Sequence, residues 1–217
     1  MKSKMTLSEI NICLVGDGKD ISGIALCLGN SGHKVSLIAN EIPKTALSKD
    51  LEAHAMVNIE PDWTALQTAA IIIVNTSENI ELKKDFLNKI AQNATKDTLI
   101  AINMESYPLE NFQEGFSNPE RLIGLNWVYP AHQTFFLELI ITDITNTEAI
   151  EELMKLAREQ WGKDPYLLKN GRGIRSRLLA AMARESFYLI DKGYVDPIDI
   201  DRACRNDPGY YLPFAGN

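Results

Sequence analysis

Gly16-Asp17-Gly18 is the short stretch of this chain whose residue types and spacing most directly imply chemistry. It closes an apolar run of strand length, Ile10, Ile12, Leu14 and Val15. Glycines in such a turn let the backbone approach a pyrophosphate, and a helix that starts just beyond offers the same anion its free N–H groups. Ile21, Ile24, Ala25 and Leu28 follow at the i, i+3, i+4, i+7 spacing of one helix face, and Gly32 stands where a left-handed cap belongs. Val35, Leu37 and Ile38 supply the next strand. The stretch reads as the opening of a dinucleotide-binding α/β unit. Two positions depart from the six-residue pattern G-x-G-x-x-G. The third glycine is Ile21, and the next glycine, Gly23, comes two residues late. At the end of the second strand, where a carboxylate would bind a ribose, the chain reads Ala39-Asn40. A hydrogen bond to a charged group is worth ~1.5–3 kcal/mol, so its loss predicts roughly tenfold to hundredfold weaker dinucleotide binding unless Asn40 substitutes.

The elements that must hold this turn in place follow in a regular order. Met56 to Ile59 is predicted as a third strand, Pro61-Asp62 opens a short helix through Thr68, and Ala70 to Val74 is the continuous apolar run of a buried parallel strand. A helix to about Ala91 buries Leu82, Phe86 and Ile90. Strands are predicted at Thr98 to Asn103, Leu122 to Val128, Phe135 to Thr142 and Tyr166 to Leu168. Between the last two lies a helix with a capping box at Thr145 and Glu148, ended by Gly162. Glu41 to His54 is a short polar connection with a brief helix at Thr45 to Ala53. A long helix from Ile174 to Asp191, apolar on more than one side, predicts burial between other elements, and a short one starts at Asp196-Pro197. The fold class is therefore α/β: a Rossmann-like doubly wound, mostly parallel sheet over 1–168, followed by a small all-α segment over 169–217. That segment is too small to hide its own apolar face, which predicts a homodimer formed through it.

Composition narrows the class. Among 217 residues, 45% are hydrophobic and the formal net charge is −7 with no basic run, which argues against nucleic acid and anionic membranes as partners and favours a small-molecule ligand. The apolar runs are far too short to span a bilayer, and Cys13, Cys27 and Cys204 form no C-x-x-C pair, so a cytoplasmic protein with reduced cysteines and no metal site is expected.

Several short strings, in order and spacing, resemble the 3-hydroxyacyl-CoA dehydrogenase family over nearly the whole chain. They are Val15-Gly16-x-Gly18, Gly23-Ile24-Ala25, Gly32-His33-x-Val35, Glu78 with Lys83, Asn103, Gly124-Leu125 before Pro130, Leu137-Glu138, Gly162-Lys163-x-Pro165, Gly173 with Arg177, and Pro197-x-Asp199-x-Asp201. The resemblance implies NAD as cofactor, with Gly16, Gly18, Gly23, Asn40, Glu78, Lys83 and Asn103 at its site. It also implies a catalytic histidine oriented by a glutamate, because a hydride leaves carbon only as the hydroxyl proton is taken. Glu138 matches the glutamate. The histidine's place is Asn126, an amide that cannot shuttle a proton near neutral pH. Two further asparagines of the family are here Tyr129 and Ser176, and Asn103 stands between Ile102 and Met104. The family's helical insertion that helps hold the CoA tail is reduced to Glu41 to His54. The catalytic positions to follow are therefore Asn126, Glu138 and Ser176, with Tyr129, His132 or Tyr107 as sources of a replacement acid or base. Two readings result. One is an NAD-dependent oxidoreductase of this family with weak or absent activity on acyl-CoA. The other is a non-catalytic dimeric relative that binds a ligand or partner.

Overall fold

The computed structural model describes residues 10–17, 20–38, 51 and 53–209. Asn40, Gly18 and most of the connection from Glu41 to His54, with the helix expected at Thr45 to Ala53, lie outside those residues.

Eight strands form one sheet in the order β3-β2-β1-β4-β5-β6-β7-β8. They are β1 (Asn11–Val15), β2 (Lys34–Ile38), β3 (Val57–Glu60), β4 (Ile71–Val74), β5 (Leu99–Ile102), β6 (Leu122–Trp127), β7 (Phe136–Ile140) and β8 (Asp164–Leu168). The first six run parallel, β7 is antiparallel to β6, and β8 runs parallel to β7. Each strand expected from the sequence is present. The reason is visible in β4, buried on both faces and hence written as a continuous aliphatic run, and in β1, apolar from Ile12 to Val15.

Two cores cover the two faces. Ile12 and Leu14 of β1 belong to one, with α1 (Ile21–Asn30) packed on it; Cys13 and Val15 belong to the other, against α2 (Ile80–Asn93). The first core also takes Ile150, Leu153 and Ala157 from a later helix, Thr147–Glu159, while the second takes the short α3 (Glu110–Gln113) through Phe112. We label the later helix α4. Helices thus lie on both sides of the sheet, as the doubly wound reading requires.

Two local expectations change, at the N-cap of α4 and after Pro61, and the structure adds the cap of α2. The N-cap of α4 is Asn146, whose side chain accepts from the Glu148 N–H, and Thr145 Oγ1 instead accepts from the Thr142 N–H. The cap of α2 is Asn79, which accepts from the N–H groups of Glu81 and Leu82. The segment after Pro61 is a 3₁₀ helix, Trp63–Thr68, capped by Asp62. Gly32 and Gly162 do adopt the left-handed conformation predicted for helix ends, with φ of 86° and 63°.

The chain divides into two units, the second beginning at Ile174. The second contains α5 (Arg175–Asp191) and α6 (Pro197–Asn206). Neither helix has a buried residue in the single chain, which corrects the expectation that the long helix is enclosed by its own neighbours. Leu178, Leu179, Met182, Phe187 and Tyr188 of α5 are all exposed.

Candidate functional site

In a sheet of this order the chain crosses over between β1 and β4, and a ligand crevice lies outside the carboxyl ends of those strands. The glycine turn follows β1 directly. Gly16 has φ of 128°, and a Cβ there would fall 2.1 Å from the carbonyl oxygen of Asn75, so only glycine allows β1 to end against the β4 loop. Beyond the turn, α1 begins at a residue, Asp20, that makes no side-chain capping bond. Its carboxylate accepts instead from the Ala131 N–H at 2.7 Å. Burial raises the Asp20 pKa, opposed by that hydrogen bond and by the charges of His132 and Lys163. Gly23 packs on this arrangement: a Cβ there would sit 2.3 Å from Asp20 Oδ1. Its place is at the α1 to Ala131 contact.

Glu78, Lys83 and Asn103 come together at the ends of β4 and β5. Lys83 is fully buried and donates to the Asn103 carbonyl oxygen at 2.6 Å and Oδ1 at 2.9 Å, with Glu78 Oε1 at 3.0 Å. Burial pulls its pKa below the ordinary lysine value, while Glu78, and then Asp17 and Glu105, hold it up. Asn103 is locked on its other side, accepting from the Thr76 N–H and donating to the Thr76 carbonyl oxygen. Glu78 Oε2 accepts from the N–H groups of Glu105 and Ser106. The sequence interval of five between Glu78 and Lys83 therefore becomes a direct ion pair across the start of α2.

One residue further, the network reaches Asn126. Asn126 and Glu138 are directly opposed on β6 and β7, and Asn126 Nδ2 donates to Glu138 Oε2 at 2.9 Å. The same amide donates to the Met104 carbonyl oxygen at 2.8 Å, and Asn126 Oδ1 accepts from the Met104 N–H at 2.7 Å. Both amide hydrogens are thereby used. Asn126 and Glu138 are buried, and a Cβ on Gly173 would lie 2.7 Å from Glu138 Oε2. This position is a clamp on the backbone just past β5.

Ser176 lies in the first turn of α5 and belongs to the second unit. Tyr129 and His132 are exposed, His132 beside Gln133, and Tyr107 packs edge-on against Phe112. Sequence reasoning missed Asp17, Asp20 and Lys163 as organisers of this edge. Lys163 donates to the carbonyl oxygens of Ala131 and Thr134 and lies over the Trp127 ring, which ties the loop after β6 to β8. Among the described residues no His/Cys/Asp/Glu cluster could hold a metal, and no helix is long and apolar enough to cross a membrane.

A doubly wound sheet with an uncapped helix N-terminus and a polar network at its β1/β4 crevice defines a nucleotide-binding domain. Residues 38–171 match the family described as 3-hydroxyacyl-CoA dehydrogenase, NAD binding domain, and the chain belongs to that family. It is 29% identical to 5-formyl-3-hydroxy-2-methylpyridine 4-carboxylate 5-dehydrogenase of Mesorhizobium japonicum, over 95% of this chain and 73% of that protein. It is 26% identical to 3-hydroxyadipyl-CoA dehydrogenase of Escherichia coli K12, over 95% of this chain and 48% of that protein. Among solved structures it resembles 5-formyl-3-hydroxy-2-methylpyridine 4-carboxylic acid 5-dehydrogenase, described as an NAD+-dependent dismutase. The TM-score is 0.81 at 26% identity, covering 93% of this chain and 72% of that one. NAD is accordingly the cofactor of the domain. The residues present fit it: α1 starts at the glycine turn without a side-chain cap from Asp20, and Glu78, Lys83 and Asn103 come together at the carboxyl ends of β4 and β5.

Proposed function

We propose that this chain is an NAD-dependent oxidoreductase of the 3-hydroxyacyl-CoA dehydrogenase kind whose activity on acyl-CoA is weak or absent. The observation that carries the reading is the commitment of Asn126 to Met104 and Glu138. Bound NAD supplies hydride acceptance. The chain's own part is to hold the cofactor at Glu78, Lys83, Asn103 and Gly16, while Gly18, Gly23 and Asn40 carry that assignment from the family resemblance in sequence. In sequence, Asn126 and Glu138 of the first unit and Ser176 of the second match the family's catalytic positions, and none is an imidazole. A positioned general base commonly contributes 10²–10⁴-fold, and that factor is missing at Asn126.

The kinship to a dehydrogenase named for a pyridine carboxylate supports a substrate without CoA. The short span of sequence from Glu41 to His54, where the family carries a longer insertion that helps hold CoA, supports a free hydroxy acid or small aldehyde over a thioester with a long tail. The exposed apolar side chains of α5 support a homodimer through the second unit, and the unpaired Cys13, Cys27 and Cys204 support a reducing, cytoplasmic setting. The second reading, a non-catalytic relative that binds a ligand or partner, rests on the same Asn126 geometry. Fluorescence titration with NADH and NADPH, beside turnover assays on 3-hydroxybutyryl-CoA and free hydroxy acids, separates the two. Binding with turnover supports the oxidoreductase; the absence of both binding and turnover supports the second reading.

A further inference from the structure

Lys83 is fully buried, and three oxygens face its three ammonium hydrogens: the carbonyl oxygen and Oδ1 of Asn103 and Oε1 of Glu78. Nothing on this ammonium is left for a ligand. The network opens to solvent instead at Glu78, whose side chain is 29% exposed. What Lys83 does hold is the backbone just past β5. A peptide group is planar, so its carbonyl oxygen and the N–H of the next residue move together. In the plane that joins Asn103 to Met104, the carbonyl oxygen accepts from Lys83 at 2.6 Å while the N–H donates to Asn126 Oδ1 at 2.7 Å. The next plane repeats the arrangement. There the Met104 carbonyl oxygen accepts from Asn126 Nδ2 at 2.8 Å, and the Glu105 N–H donates to Glu78 Oε2 at 3.3 Å. Two successive peptide planes are therefore pinned at one end by Glu78 or Lys83 and at the other by Asn126, which also donates to Glu138. Neither end can tilt alone.

We propose that Lys83 is a positioning residue that braces two sites as one: by fixing Asn103 and Glu78 it sets the two peptide planes around Met104, and through them the Asn126–Glu138 pair. Its part in holding the cofactor is exerted through Glu78 and Asn103. That part rests on the reading of this edge as the cofactor site, whereas the bracing of Met104 stands on the hydrogen bonds alone. Removing the ammonium leaves buried acceptors without a donor, frees the first plane at its carbonyl end and loosens its N–H from Asn126. The reverse also holds, because coupling between two binding sites is reciprocal.

The test combines Lys83→Met and Asn126→Leu, singly and together, with two readouts. The first is amide hydrogen exchange in the full chain, read at Met104. Among the described residues Lys83 makes no hydrogen bond to Met104 or Asn126, so a merely local role leaves the Met104 N–H protected. The expected result in Lys83→Met is exchange at Met104 faster by about tenfold or more, with wild-type rates kept in β2. Unchanged exchange at Met104, or acceleration spread evenly over the sheet, overturns the proposal. Should Lys83→Met fail to fold, Glu78→Gln alters the partly exposed end of the same network and is expected to give the same faster exchange at Met104. The second readout is NADH affinity by fluorescence titration. Each single variant is expected to bind about tenfold more weakly, and the double variant no more weakly than the poorer single one. Losses that multiply to about a hundredfold overturn the coupling and leave the cofactor reading intact. Absence of NADH binding in wild type overturns the cofactor reading, and the Met104 exchange rates then decide the bracing by themselves.

Discussion

At the scale of single residues, Asn126 decides what the site can do. An amide with both hydrogens donated and its oxygen held by the Met104 N–H is a structural cross-link. Asn126→His places an imidazole where two backbone groups of Met104 need a donor and an acceptor on one side chain. The Met104 groups then lose a partner inside the core, at a cost of about 1–3 kcal/mol. The expected outcome is a lower midpoint in urea unfolding and little gain in 3-hydroxybutyryl-CoA oxidation; robust turnover by this variant would show that a histidine alone was missing. Cysteine reactivity is set at the same scale. Burial pushes the Cys13 thiol up to about 12, and burial likewise raises Cys27, whereas Cys204 is only partly covered. Iodoacetamide at neutral pH should therefore label native protein at Cys204 alone, with Cys13 and Cys27 labelled after unfolding.

At the scale of elements, the turn from α1 into β2 carries a titratable weakness. His33 is fully buried, edge-on to Trp161 at 6.3 Å, and neither ring nitrogen has a hydrogen-bond partner among the described residues. Burial lowers its pKa below the ordinary 6.5. The unfolded chain therefore takes up the proton first as pH falls. The stability His33 contributes is complete above about pH 6.5 and declines below it toward the folded-state pKa. Unfolding free energy should drop between pH 7.5 and 5.5, and drop less in His33→Phe; equal pH slopes would contradict this. The elements themselves were legible in the sequence for a physical reason: strands such as Ile71–Val74 are covered on both faces and so are aliphatic throughout. Caps were less so. Thr145 and Asn146 are adjacent oxygen-bearing residues, and only the backbone path decides which one accepts from Glu148. Glu78, Lys83 and Asn103 were singled out through the family resemblance whose strings they match, and the fold brings the three together. Asp17 and Asp20 were not, because their partners Ser77 and Ala131 are 60 and 111 positions away and donate through backbone N–H groups that carry no side-chain signature. The clamp on Met104, 22 residues from Asn126, was hidden in the same way.

At the scale of the whole molecule, a nucleotide-binding unit is followed in the chain by a helical unit whose described helices carry exposed apolar side chains. Leu178 and Phe187 are 56% and 72% exposed, and the proposed homodimer would cover them. Sedimentation should give a dimer, and Leu178→Glu with Phe187→Glu should give a monomer that retains the NADH affinity of the first unit; a wild-type monomer at micromolar concentration would contradict the assembly. On the proposed reading the cofactor scaffold is kept while the group that moves the hydroxyl proton is replaced by a backbone clamp. The most direct test is NAD+ reduction by wild-type protein with saturating 3-hydroxybutyryl-CoA, run beside an NADH titration of the same sample. The predicted result is saturable NADH binding with turnover roughly 10²–10⁴-fold below that of a histidine-bearing relative. Turnover equal to such a relative would contradict it.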